Sequence, residues 1–386
     1  MNFLPQSALK SYFVLALAIS LSGCSLSSDP VKDYEKGKVA FENAEYKMAA
    51  ECFTEVIEKA PENIDAHVML ARSEFALGNL DAAATALNKA AKTNGDDIDI
   101  IELSAQIAFY RKDYKLATKS YARLASNTNL DPSVRSIGWT GLGIVDFVRI
   151  DDDKNSSRYH DSRVKFLQAI TLDARNASAR YYLGCLYRDT FQYLEAARDQ
   201  FRAFIYLEKD DTKRVKYVQN VILTSLNEEI KKRSEPNIAR IDTVGCASML
   251  KKGDDFFKRK KYKDAITSYM KALKSNPVSY AAAIGLARAY ARVNRSRQDN
   301  DRTLDAYLVA CKIRPSEINT HIEAGDFALR IGKSATAVEL YSRALASSPT
   351  SVKSVQGLIN AFDKSHNDSQ AASVYRGYLR TLTKVK

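Results

Sequence analysis

The sequence predicts an all-α protein built as a stack of helical hairpins. Three observations lead there. Similar residues recur every 34 positions over most of the chain, and that period matches one helix-turn-helix unit stacked on its neighbours. Glycine (15) and proline (8) are scarce among 386 residues, while alanine, lysine, leucine and tyrosine are abundant, a balance that favours helix. The charge changes partway along: Ser234 to Lys386 holds 26 Lys and Arg against 14 Asp and Glu, whereas the preceding residues balance at 32 of each. The stack therefore divides into two arrays, and the basic excess belongs wholly to the second.

Residues 1–23 read as a signal peptide. Lys10 supplies the positive start, Ser11 to Ser20 an apolar core, and Ser22 and Gly23 the small residues of a processing site. The apolar run is shorter than the roughly 20 residues that span a bilayer, and no second run of that kind follows. A buried core helix is the competing reading, but the run ends in a serine-rich, helix-poor stretch. Leu21-Ser22-Gly23-Cys24 resembles the lipobox of bacterial lipoproteins. The resemblance implies cleavage before Cys24, acylation of its thiol and new amine, and a short tether over residues 24–30. Acyl chains anchor at about 0.8 kcal/mol per buried methylene. Ser25 and Leu26 stand where inner-membrane lipoproteins carry Asp, which implies the outer membrane, with the chain facing the periplasm and held there by its lipid.

The repeat begins near Val31. Gly37, Ala49, Phe53 and Pro61 are followed 34 residues later by Ala71, Ala83, Leu87 and Gly95, and again by Ala105, Ala117, Tyr121 and Asn129. Small residues belong where two helices cross closely, and a large side chain fills the space beside them. A fourth unit carries Trp139, Leu142 and Gly143, then an insertion from Arg149 to Asp161, then Phe166 and Ala169. A fifth, with one extra residue, carries Leu183, Gly184, Tyr187, Ala197 and Phe201. A further helix is expected over about Thr212 to Arg233, with a linker at Ser234 to Gly245. Gly253, Tyr262, Ala265, Tyr269, Ala272 and Pro277 make a sixth unit. The seventh, with Leu286, Ala287, Tyr290, Tyr307, Ala310 and Pro315, holds about four extra residues. Gly325, Ala337, Tyr341, Ala344 and Pro349 make the eighth. Leu358, Phe362, Ala371 and Tyr375 close the stack in a degenerate unit with Ile359 in the small-residue slot, a cap.

These residues resemble the tetratricopeptide repeat family. The resemblance implies a right-handed α-solenoid of about nine hairpins, with a first array over residues 31–211, an extra helix and linker over 212–245, and a second, basic array over 246–386. It also implies that the first helix of each hairpin lines the concave face. At the position just after the Tyr-like residue of that helix stand Phe41, Phe75, Phe109 and Phe147, and Phe257 in the sixth unit. Such a ladder is either ordinary core or a row of aromatic anchors for a peptide. The seventh and eighth units place Arg288, Arg292 and Arg330 on the corresponding face, suited to acidic segments. The Lys/Asn arrangement by which some such repeats clamp a C-terminal carboxylate is not evident.

Catalytic chemistry finds no purchase. No H-E-x-x-H, G-x-S-x-G, P-loop or G-x-G-x-x-G pattern occurs. His67 and His321 fall where the repeat packs a Trp inside the hairpin, a structural role; His160 falls in the insertion and His366 in a turn. Asp151 to Asp153 lack calcium-loop spacing and read as a solvated loop. Cys52, Cys185, Cys246 and Cys311 are far apart and read as buried, unpaired thiols, although an exported chain has the option of pairing them. No cofactor, metal or nucleic-acid partner is expected of an exported, non-enzymatic chain. The resemblance extends to accessory lipoproteins of envelope machines, those of Tad/Flp pili above all. The expected function is a scaffold that binds proteins of a pilus or secretin-type secretion assembly. The alternative is a scaffold of an exopolysaccharide export or cell-wall synthesis complex.

Overall fold

A computed structural model describes residues 29–150, 157–208, 212–234, 241–293, 296–365 and 369–384. Cys24 with its leader, Asp151 to Asp153, His366 and residues 235–240 of the expected linker lie outside the described residues, and Thr243 to Gly245 of that linker belong to a helix. Helix is the only regular structure among those described, arranged as nine consecutive hairpins. The first five pair α1 (Pro30–Glu42) with α2 (Tyr46–Lys59), α3 (Ile64–Leu77) with α4 (Leu80–Thr93), α5 (Ile98–Tyr110) with α6 (Tyr114–Ser126), α7 (Pro132–Val148) with α8 (Ser157–Leu172), and α9 (Ala177–Leu186) with α10 (Leu194–Leu207). Then come α11 (Lys213–Tyr217) and α12 (Leu223–Ser234). The last four hairpins pair α13 (Thr243–Lys258) with α14 (Tyr262–Ser275), α15 (Tyr280–Val293) with α16 (Arg297–Ile313), α17 (Ile318–Arg330) with α18 (Ser334–Ser347), and α19 (Val352–Ser365) with α20 (Ser369–Lys384).

The 34-residue period is written into the helix starts. Asp29, Asn63, Asp97 and Asp131, each 34 apart, cap the first helix of four successive hairpins, their side chains accepting from the backbone N–H of Val31, Ala66, Asp99 and Ser133 at 2.8–3.0 Å. Each cap is worth about 1 kcal/mol. The tight turns repeat too: Ala44, Gly78, Lys112, Lys260 and Gly332 all sit at φ between 60° and 86°, a left-handed conformation that only glycine adopts without cost. The extra residue of the fifth hairpin is absorbed by a π-helical turn, Tyr187–Phe191, which ends at Gln192 with φ 53°; an inserted residue commonly widens a helix in this way. A second π-helical turn, Val218–Ile222, joins α11 to α12.

Small residues face large rings across each hairpin. A Cβ placed on Gly37 meets Phe53 at 2.9 Å, and one on Gly325 meets Tyr341 at 2.9 Å. The next hairpin closes on the same ring: Gly253 and Gly285 face Tyr269 at 2.6 and 2.7 Å, and Gly357 faces Tyr341 more closely still. The tyrosine hydroxyls then donate to the residue after the first glycine, Tyr269 to Asp254 at 2.8 Å and Tyr341 to Asp326 at 2.5 Å.

The chain forms two compact units. One comprises the described residues within 1–154, 168–179 and 205–218; the other comprises those within 155–167, 180–204 and 219–386. In the first, Ala71, Phe75, Leu87, Ile100, Leu103 and Ile107 form one core cluster and Ala105, Phe109, Tyr121, Leu142 and Val145 another. In the second, the largest buried side chains include Tyr187, Phe201, Tyr341, Tyr375, Tyr378 and Arg163.

The glycine contacts make a prediction whose sign is informative. A helical Gly→Ala change normally stabilises by about 1 kcal/mol. Gly377→Ala in α20, where nothing lies within 4 Å of the new carbon, is expected to raise the melting temperature. Gly253→Ala is expected to lower it, because overpacking against the Tyr269 ring costs about 1–3 kcal/mol. Thermal unfolding followed by circular dichroism checks both.

Candidate functional site

Within each array the first helices of successive hairpins lie side by side: α1 with α3, α3 with α5, α5 with α7, α13 with α15, and α17 with α19. Each such pair of neighbouring first helices shares a face. In the last three hairpins that face opens into a groove of about 760 Å³. Its wall is built from Arg288 on α15, from Asn319, Asp326 and Arg330 among others on α17, and from Lys353, Gln356, Asn360 and Lys364 on α19, with the Tyr341 ring between them. Asn319 and Lys353, Ile322 and Gln356, Asp326 and Asn360, and Arg330 and Lys364 are each 34 residues apart, so two successive hairpins present the same register to the groove.

Charge in the groove is only partly compensated. Arg288 grips Glu323 with two bonds, Nη2 to Oε1 at 2.6 Å and Nε to Oε2 at 2.9 Å. Asp326 is engaged by the Tyr341 hydroxyl. Arg330 lies over the ring of Phe327, 4.8 Å from its centre. Arg330, Lys353 and Lys364 have no carboxylate partner among the described residues. Three such cations beside the amides of Asn319, Gln356 and Asn360 can donate many hydrogen bonds to a carboxylate-bearing ligand. Of the arginines expected to face a partner, Arg288 and Arg330 line this groove. Arg292 is exposed on α15 and is not part of its wall.

The phenylalanine ladder sits where each first helix meets its turn. The rings of Phe41, Phe109 and Phe257 pack on the first residue of the following helix, Tyr46, Tyr114 and Tyr262, with centroids 5.3, 5.9 and 5.3 Å apart. Phe75 meets Tyr110 of the next hairpin at 5.3 Å. Phe75 and Phe109 are buried, at 8% and 7% exposure; Phe41, Phe147 and Phe257 are half-buried. The rings of Phe41, Phe75, Phe109 and Phe257 thus contribute to packing within and between hairpins, and three rungs of the ladder keep a partly open surface.

His67 and His321 are buried, and their Nε2 atoms lie 2.9 and 2.7 Å from the carbonyls of Pro61 and Pro315, so each pins the turn before its own helix. Burial holds the His321 pKa below the usual histidine value. His160 is not a loop residue: α8 begins at Ser157 and carries it inward to 4% exposure. Cys52, Cys185, Cys246 and Cys311 are buried and form no disulfide among the described residues, and burial pushes the Cys311 thiol up to about 12. Among the described residues no group of three His, Cys, Asp or Glu side chains could hold a metal, and no helix is long and apolar enough to cross a membrane.

Sequence reasoning missed Lys353, Gln356, Asn360 and Lys364. The signal was present in the 34-residue offset from α17, but Ile359 in the small-residue slot drew the ninth unit toward the role of a passive cap. The fold defines the class: an all-helical protein of stacked helix pairs with a groove on the face of its last first helices. Two segments, residues 40–107 and 250–318, match models of the tetratricopeptide repeat. Human Superkiller complex protein 3 is 23% identical over 284 residues, 73% of this chain but only 18% of that protein's length. A structure of Pseudomonas aeruginosa pilF is 15% identical, covering 67% of this chain and 97% of its own with a TM-score of 0.39. A tetratricopeptide-repeat protein of Thermus thermophilus is 16% identical, covering 58% and 98% with a TM-score of 0.37.

The groove separates binding residues from folding residues. Lys353→Ala with Lys364→Ala is expected to leave stability within about 0.5 kcal/mol of wild type, as for surface residues without strong contacts generally. Tyr341→Ala, a ring 1% exposed, is expected to cost about 3–5 kcal/mol. Urea unfolding of the three proteins makes the comparison.

Proposed function

We propose that this protein is a lipid-anchored scaffold of a bacterial envelope, and that its second array grips an acidic segment of a partner protein. The observation that carries the reading is the set of three cations, Arg330, Lys353 and Lys364, held in register over one groove without a carboxylate partner among the described residues. The net charge of Ser234 to Lys386 points the same way, because a basic field steers acidic partners toward it. The half-buried rings of Phe41, Phe147 and Phe257 offer apolar footholds elsewhere along the first helices. The lipobox at Cys24 supports a tether to the periplasmic face of the outer membrane, which raises effective concentration near other membrane-bound components. In this reading the protein assists assembly of a pilus or a secretin-type machine, in the manner of the Tad/Flp pilus lipoprotein TadD. The same cations suit an anionic polymer, so a scaffold of polysaccharide export or cell-wall synthesis is the second reading.

Crosslinking and affinity capture of the lipidated protein from its native envelope tests this, run beside Lys353→Glu with Lys364→Glu. A pilus or secretin component is expected with wild type and lost from the variant, while helical circular dichroism stays unchanged. Capture that survives the charge reversal contradicts the groove. Capture of capsule or cell-wall machinery in its place favours the second reading.

A further inference from the structure

The second compact unit contains a contact that no repeat pattern requires. The start of α8, far away in sequence, is packed against the last hairpin. Arg163 on α8 is fully buried. Its Nη2 donates to Ser342 Oγ on α18 at 3.2 Å and to the Tyr375 hydroxyl on α20. Its guanidinium lies 4.6 Å from the centre of the Phe191 ring and 5.3 Å from that of Tyr375. One turn earlier, His160 Nδ1 is 3.0 Å from the same Tyr375 hydroxyl, and its ring meets Phe362 on α19 at 5.1 Å, edge to face.

Hydrogen-bond directions in this cluster are constrained. Arg163 can only donate, so Tyr375 Oη accepts from it. The one hydroxyl hydrogen of Tyr375 is then free to be donated to His160 Nδ1, 3.0 Å away, in the neutral tautomer that leaves that nitrogen bare. The titratable and charged groups around His160 are Tyr159 and Arg163 on its own helix, Tyr375 on α20, and Tyr187 and Tyr193 behind Arg163. Asp161 adjoins His160 along α8, and the charge that acts on the His160 imidazole is that of Arg163. Protonated His160 would place a second buried cation beside the first and leave the Tyr375 hydrogen without its acceptor; buried like charges of that kind are strongly unfavourable. Nε and Nη1 of Arg163 already lack acceptors among the described residues, so the cluster has no spare capacity to absorb one.

We propose that α8 and the last hairpin form a clasp, fastened through Arg163, His160 and Tyr375, that opens on acidification and thereby loosens the groove. The coupling runs through α19. This helix presents Phe362 to His160 on one side and Lys353, Gln356, Asn360 and Lys364 to the groove on the other. This second half rests on the groove being the binding site. Burial first, and the Arg163 charge second, hold the His160 pKa well below the ordinary value near 6.5. The closed state therefore keeps His160 neutral, while an opened, hydrated His160 titrates near 6.5. The clasp has its full strength above about pH 6.5 and weakens as pH falls through that value, by up to about tenfold per pH unit.

Hydrogen exchange of the full chain at pH 7.5 and 5.5, corrected for intrinsic rates, is the test. In wild type, α19 and α20 are expected to lose about tenfold in protection at pH 5.5 relative to α3 and α4. His160→Gln and His160→Phe, which cannot acquire the charge, are expected to show no such selective loss. His321→Gln, which removes the other buried histidine of this unit, is expected to behave as wild type. Hexaglutamate binding, followed at both pH values, reports the groove and is expected to weaken at pH 5.5 in wild type more than in His160→Gln. Undiminished protection of α19 and α20 in wild type overturns the clasp, as does an equal loss in both His160 variants. Should hexaglutamate bind equally at both pH values while α19 and α20 open, the coupling is overturned and the clasp stands. If it binds at neither, the groove reading fails, while the exchange data still decide the clasp.

Discussion

The contact on which this structure depends is that of an aromatic ring held between small residues of two hairpins. Tyr269 between Gly253 and Gly285, and Tyr341 between Gly325 and Gly357, show it most fully. Each ring fills the space that the missing side chains open, and its hydroxyl is committed to Asp254 or Asp326. A single ring thereby joins the two helices of one hairpin and the first helix of the next. The side-by-side alignment of the first helices follows, and with it the shared face from which the groove is made.

Electrostatics then differentiate one stretch of that face from another. In the first array, cations tend to find carboxylates on neighbouring helices and hairpins: Lys59 with Asp33, Arg72 with Asp99, Arg111 with Asp81, Arg123 with Asp96. These pairs are mostly exposed and each contributes little to stability, but they commit charge that would otherwise be open to a partner. In the last hairpins Arg288 and Lys333 are matched by Glu323 and Asp301, while Arg330, Lys353 and Lys364 have no such match among the described residues. Part of the basic surplus of the C-terminal part is therefore held where a partner can use it.

Much of this was legible in the residues. The 34-residue offset foretold the all-helical stack and the small-to-large pairing, because each depends on local spacing. Arg288 and Arg330 were read from the same spacing, and both line the groove of the last hairpins. The clasp was not legible. His160 and Arg163 lie in and just after an insertion that interrupts the repeat, and their burial comes from contact with Ser342, Phe362 and Tyr375, roughly 180 to 215 residues away. No period relates those positions. The ninth hairpin was legible as an element but underrated as a surface, because Ile359 departs from the small-residue pattern while Lys353, Asn360 and Lys364 keep the register of the eighth. The phenylalanine ladder was ambiguous at the start, since an aromatic at that position reads equally as packing for the turn or as an anchor for a partner.

The most direct test of the central claim is site-specific photocrosslinking in the cells that make the protein. One photoreactive residue replaces Asn360 in the groove, and another replaces Val309, exposed on α16. The account predicts a discrete protein adduct from position 360, competed by free hexaglutamate, and none from position 309. Equal adducts from both positions, or an adduct from position 309 alone, would contradict it.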